Sequence, residues 1–256
     1  MTFVDQFAEE GWLKIGKVFD PAFIDDLNRE FESQYAALTT HQGGHRGYLN
    51  VGDERMMLSV RLTGAFLDPR LYANPLLLPV LQQLLGPDLL IDNFTCVIAL
   101  PGAGEQHLHC DHPALFPEAP DISTAARAYA ITLVIPLVDL TPETGTTRLF
   151  PGTNRGEPPA DEALPFIGRG ECFLMDYRIK HQGMPNRSAM RRPVLYIVYT
   201  RPWFIDIVNL RRQPRINIDL ADIGSVPTEH RPLFRRLAAK GAFDLSEKEL
   251  FPPPPQ

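Results

Sequence analysis

The stretch Leu89-Leu90-Ile91-Asp92-Asn93-Phe94-Thr95-Cys96-Val97-Ile98-Ala99-Leu100 decides the fold class. It holds two strand candidates, Leu89 to Ile91 and Phe94 to Leu100, dense in the apolar and β-branched residues that strands favour, and Pro101-Gly102 closes it as a turn. Similar short runs follow at Tyr129 to Leu137, Thr147 to Phe150, Glu171 to Met175 and Val194 to Thr200, each bounded by turn residues. The 25 prolines, roughly twice the usual share, punctuate these runs and speak against a helical bundle.

Upstream the pattern is mostly helical. Phe3 to Glu9 reads as a short amphipathic helix stopped by Gly11, and Trp12 to Ile15 as a strand. Pro21 to Leu38 reads as a helix capped by Asp20, with Pro21 at its first position. Asn74 to Leu85 reads as another, closed by Gly86-Pro87. Thr39 to Arg55 is polar and glycine-rich, a loop able to cover a site. Ser225 to Lys240 suggests a late helix, and Pro252 to Pro255 a proline-rich tail. Helices followed by six or more short strands predict a mainly β fold with flanking helices around a double-stranded β-helix, the jelly-roll or cupin-like core. One domain is expected over 1–256: a helical N-terminal part to about 88, the jelly roll over about 89–205, and an extension over about 206–256.

A net charge of −6 and the absence of any Lys/Arg block argue against nucleic acid and anionic membranes as partners. No run approaches the roughly 18 apolar residues of a membrane span. Met1 to Asp5 lacks the basic and apolar regions of a signal peptide. Cys96, Cys110 and Cys172 are odd in number and far apart, which suggests free thiols in a reducing cytoplasm.

The chemistry concentrates in Gln106-His107-Leu108-His109-Cys110-Asp111. If this run is extended, residues two apart share a face, so His109 and Asp111 are able to chelate one ion. With His181 far downstream they make two imidazoles and one carboxylate, the facial triad of non-haem Fe(II) oxygenases. His107 and His112 compete within the same stretch, and a His107-x-His109 pair would be cupin-like. Beyond His181, Arg191 and Arg192 open the last strand. One faces inward, and a guanidinium there would hold a carboxylate through two parallel hydrogen bonds. Spacing favours Arg192.

These residues resemble the phytanoyl-CoA dioxygenase family of Fe(II)/2-oxoglutarate oxygenases. The matching text is Gln106-x-x-His109-x-Asp111, then Glu143-Thr144-Gly145 through Pro151-Gly152-Thr153-Asn154, then Asp176-x-Arg178-x-x-His181-x-Gly183-x-x-Asn186-x-Ser188. Thr144 stands where that family's signature has asparagine, and Thr153-Asn154 where it has Ser-His. The resemblance implies Fe(II) held by His109, Asp111 and His181. It implies 2-oxoglutarate held at its far carboxylate by Arg192 and assisted by Gln106, with O2 consumed and succinate and CO2 released. Thr146 and Thr147 are further candidates for lining that pocket. In related halogenases a small residue replaces the carboxylate ligand, so Asp111 points to hydroxylation, desaturation or ring chemistry instead.

The expected substrate is a small or medium, partly apolar organic molecule of specialised metabolism. Tyr48, Met56, Met57, Arg61, Phe116, Trp203 and Phe204 are candidates to line its pocket. Two rivals stand beside this reading. One is a cupin-type isomerase or 2-oxoglutarate-independent dioxygenase, which would need no Arg192. The other is a jelly roll that binds a ligand without turnover.

Overall fold

Nine strands and seven short helices are defined in a computed structural model that describes residues 2–35, 48–206, 209 and 215–238. The strands are β1 (Trp12–Ile15), β2 (Tyr48–Gly52), β3 (Arg55–Ser59), β4 (Leu90–Ala99), β5 (Ala130–Pro136), β6 (Thr147–Phe150), β7 (Cys172–Asp176), β8 (Lys180–Gly183) and β9 (Arg192–Thr200). The helices are α1 (Phe3–Glu10), α2 (Pro21–Tyr35), α3 (Pro69–Tyr72), α4 (Leu78–Leu85), α5 (Pro120–Ala125), α6 (Leu220–Ile223) and α7 (Arg235–Ala238).

Seven strands form an antiparallel sheet in the order β1-β7-β5-β9-β4-β3-β2. A smaller sheet pairs β6 with β8 and is widened by single bridges, Leu149 to Ala163 on one side and His109 to His181 on the other. Two facing antiparallel sheets are the jelly roll expected from the strand pattern. The N-terminal part is less helical than expected, because it donates β1, β2 and β3 to the large sheet. Of the predicted covering loop, Tyr48–Gly52 is strand and Arg55 opens β3, while 39–47 lie outside the described residues. The late helix is a 3-10 turn over Thr228–Phe234, which contains Pro232, continued by α7. The proline tail lies outside the described residues.

Alternation along each strand separates two apolar clusters. On β4, β5 and β9, Phe94, Cys96, Ile98, Ile131, Leu133, Ile135, Leu195, Ile197 and Tyr199 join the cluster that contains the helices. Helix α2 buries Phe23, Ile24, Leu27 and Phe31 there, each side chain contributing roughly 1.5–3 kcal/mol. The Asp20 carboxylate accepts from the Ala22 N–H at its start, as a cap does. The alternate residues point between the sheets. Val134, Phe173, Met175 and Val194 form a second cluster there with Leu149 and Ile179. Asn93, Thr95, Val97, Thr132, Tyr196 and Val198 face a cavity on that side.

The same parity settles which arginine enters. Arg192 shares its face with Val194, Tyr196 and Val198 and is buried. Arg191 points the other way and ion-pairs with Glu32 of α2.

Candidate active site

The bridge between His109 and His181 builds the centre of the site. The two residues exchange both main-chain hydrogen bonds, His109 N–H to His181 C=O at 3.0 Å and the reverse at 2.7 Å. Their rings therefore stand on one face with centroids 4.4 Å apart. A register slip of one residue would throw them to opposite faces. Asp111, two residues on from His109, brings a carboxylate oxygen to 3.6 Å from His181 Nε2. Ligand atoms of His109, Asp111 and His181 all lie within 4.8 Å of one another.

The surroundings set which atoms face inward. His109 Nδ1 lies 2.8 Å from the His107 carbonyl, and His181 Nδ1 3.0 Å from the Ile179 carbonyl. A carbonyl only accepts, so each Nδ1 carries the proton and each Nε2 keeps its lone pair. Burial, and then the neighbouring His181, hold the His109 imidazole below its usual range, in the neutral form a metal needs. Thr132 donates to Asp111 Oδ2 at 3.3 Å, which leaves Oδ1 turned toward His181.

These residues line a cavity of about 610 Å³ together with Leu49, Met57, Asn93, Thr95, Tyr177 and Asn209. Val97, Gln106, Thr147 and Tyr196 also line a small recess behind it, which ends on Arg55 and Arg192. Register explains the pair: Arg55 aligns with Ala99, and Ala99 with Arg192, so two guanidiniums flank one small residue across three strands. Both are almost fully buried. Arg55 donates to the Gly104 and Met184 carbonyls at 2.9 and 3.0 Å, and Arg192 to those of Thr144 and Met184 at 2.7 and 3.1 Å. Among the described residues no carboxylate lies within ion-pairing distance of either. Arg55 Nε is buried with no hydrogen-bond partner among the described residues. Burial, and then the Arg55 charge, push the Arg192 pKa down, which marks two uncompensated cations.

Two glycines make this convergence possible. Gly145 has φ +78°, and a Cβ there would strike the Pro185 carbonyl and the Arg192 guanidinium. A Cβ on Gly183 would strike Gln106 and Arg55. Gln106 itself ties β2 to β8, donating to the Val51 carbonyl at 2.7 Å and accepting from the Gly183 N–H at 3.1 Å. Thr146 donates to the Pro165 carbonyl, and Thr147 pairs with the Tyr196 hydroxyl.

Of the residues read as candidates for the substrate pocket, Met57 lies in the cavity wall. Met56 has the opposite parity and packs in the core. Arg61 pairs with Asp219 at the surface. Phe116 and Trp203 are exposed, while Phe204 packs against Tyr129. The side chain of Tyr48 lies outside the described residues. His107 also lines the cavity, and His112 is a buried ring set edge-on to Phe204. Arg55, Thr132, Tyr177, Tyr196 and Asn209 escaped the reading of the sequence. For Arg55 the alternation of buried Met56 and Leu58 was the available signal.

A jelly roll that carries a half-buried cluster of two histidines and one carboxylate is the plan of a 2-oxoglutarate-dependent dioxygenase. More narrowly, the chain belongs to the phytanoyl-CoA dioxygenase (PhyH) family, whose sequence profile matches residues 7–194. It is 29% identical over 213 residues to Dioxygenase af480 of Aspergillus fumigatus, an alignment spanning 78% of this chain and 67% of that protein. Its fold resembles AviO1 from Streptomyces viridochromogenes Tue57, with TM-score 0.58 and 17% identity over 79% of this chain and 95% of that one. It also resembles SnoN, the non-heme alpha ketoglutarate dependent epimerase of nogalamycin biosynthesis, with TM-score 0.59 and 18% identity over 82% and 90%. No helix among the described residues is long and apolar enough to cross a membrane.

Proposed function

We propose that this dioxygenase holds Fe(II) with His109, Asp111 and His181, and anchors the far carboxylate of 2-oxoglutarate on Arg192 with Arg55. The observation that carries the reading is the adjacency of a three-ligand cluster to two buried guanidiniums that no described carboxylate neutralises. The donor set fits the ion, since two neutral imidazoles and a carboxylate leave positions for a cosubstrate and O2. The recess fits a dicarboxylate, since one carboxylate between the arginines would satisfy the orphaned Arg55 N–H and offset one of the two positive charges.

Each side chain then has a task. Arg192 and Arg55 fix the cosubstrate at one end, so its other end meets the metal in one orientation. Gln106, held at both ends of its amide, keeps β2 against the recess. Thr132 keeps Asp111 from rotating. Asn93, Thr95, Met57 and Val198 bound the space left for an uncharged or weakly polar substrate. Iron, 2-oxoglutarate and O2 together supply the oxidation: the cosubstrate becomes succinate and CO2, taking one oxygen atom, and the substrate C–H takes the other. The finer reading is hydroxylation of a small or medium organic molecule.

Anaerobic titration with Fe(II) and 2-oxoglutarate tests the site. A visible metal-to-ligand charge-transfer band should rise and bleach when O2 is admitted. Asp111→Ala should abolish substrate-dependent succinate formation, and full activity in that variant would sink the ligand assignment. Epimerisation, the reaction of SnoN, would leave the substrate's mass unchanged, whereas hydroxylation adds one oxygen. Mass analysis of the product separates the two.

A further inference from the structure

Asp111 sits inside a closed ring of hydrogen bonds that reaches beyond the jelly roll. Its N–H donates to the Tyr177 carbonyl at 3.1 Å. Its own carbonyl accepts from Asn209 Nδ2 at 2.7 Å. Asn209 in turn grips the Asp206 carboxylate twice, through its N–H at 2.9 Å and its Nδ2 at 3.0 Å. The ring closes where the Tyr177 hydroxyl meets the same carboxylate at 3.4 Å. Asp206 and Tyr177 are both buried.

The ring is anchored from outside. Arg215 ion-pairs with Asp92, which is itself buried at the bulge of β4, and reaches Asp206 at 3.4 Å. Arg236 of α7 meets the other oxygen of Asp92 at 3.1 Å. A polypeptide segment that follows the last strand is thereby tied to the main chain of a metal-ligand candidate. Two members of the ring, Tyr177 and Asn209, also line the cavity opposite the arginine recess. A molecule in that cavity therefore touches the groups that hold Asp111.

We propose that Tyr177, Asp206 and Asn209 act together as positioning residues for Asp111, so that the C-terminal segment completes the metal centre and connects it to the substrate wall. This rests on the reading of Asp111 as a metal ligand. The chemistry requires such support. Thr132 controls the carboxylate's rotation; the peptide after Asp111 is held on one side by the His112 N–H, which donates to the Tyr177 carbonyl at 3.3 Å, and on the other by Asn209, which donates to the Asp111 carbonyl. Partners of this kind orient ligands, and their removal typically costs about 10–100-fold in metal affinity or activity.

The experiment is Co(II) titration of the full chain without cosubstrate, reading both affinity and the visible ligand-field spectrum. Asn209→Leu keeps the side chain's shape and removes its donors. It should weaken Co(II) binding about 10-fold and alter the spectrum. Tyr177→Phe opens the ring at its longest bond and should give a smaller change in the same direction. It also decides the matter if Asn209→Leu does not fold. A merely structural ring would lower the thermal midpoint of both variants and leave Co(II) affinity and spectrum as in the parent, which overturns the proposal. Asp111→Ala is the control. If it too keeps parental Co(II) affinity, the metal-centre reading has failed and not the role of the ring.

Discussion

Two arginine clusters, one part-buried and one buried, lie toward opposite ends of β4, and they are built on opposite principles. At one end, Arg215 and Arg236 reach the buried Asp92, and Arg215 also reaches Asp206. Burial is the largest single influence and lowers the Arg215 pKa, but Asp92, Tyr177 and Asp206 together outweigh it and hold the group above its ordinary range. At the other end, Arg55 and Arg192 flank Ala99 with carbonyls for company and no described carboxylate. For both, burial leads and the pKa moves down. The first cluster is complete within the chain and serves structure. The second is complete only when an anion arrives, and that incompleteness is what marks it as a binding site.

The largest expected effect breaks the paired cluster. Arg215→Ala leaves Asp92 and Asp206 without that cation, and removing one partner of such a pair costs about 3–5 kcal/mol. The midpoint of urea unfolding of the metal-free protein reads this directly. A loss under about 1 kcal/mol would mean that the cluster is solvated and the contrast with the recess is false.

The next effect loads the unpaired cluster. With Mn(II) present, 2-oxoglutarate at a hundredfold excess over its Kd should stabilise the fold by about 2.7 kcal/mol. Arg192→Leu should remove that gain while leaving the metal-free protein within about 1 kcal/mol of the parent, or above it, since a buried uncompensated charge has gone. Calorimetric scans with and without cosubstrate give both numbers. If Arg192→Leu destabilised the unliganded protein as much as Arg215→Ala does, the recess would be structural and the comparison would collapse.

The contrast also explains what was legible in the chain. Local alternation carried the strands, and the jelly roll followed from their order. The meeting of His109, Asp111 and His181 was legible because the first two share one short run and the third lies in recognisable text. Arg192 over Arg191 needed only strand parity. Arg55 was hidden because β2 and β3 are short and follow a glycine-rich stretch, so the pairing of β3 to β4 is a tertiary fact. Asn209 and Asp206 were hidden for a stronger reason. Their partners, Asp111 and Tyr177, are distant in sequence, and no local period records a contact made by a segment that returns after the last strand.

The smallest expected effect sharpens the boundary between the two kinds of residue, and it concerns Gln106. The family resemblance pairs it with Arg192 as a cosubstrate residue, yet its amide is already engaged at both ends, by Val51 and by Gly183. Only the second N–H of Nε2 remains for an incoming carboxylate. Gln106 therefore lies between the clusters in character, part brace and part ligand. Gln106→Leu should cost about 1 kcal/mol of metal-free stability for the lost bridging bonds. It should raise the Kd for 2-oxoglutarate by about 10-fold, the low end for one hydrogen bond to a charged group. Arg192→Leu should shift the same Kd much further, because it removes a charge-assisted pair. Isothermal titration with Mn(II) present compares the variants on one scale. Parental cosubstrate affinity in Gln106→Leu would make the residue a strand brace alone and leave anchoring to the two arginines.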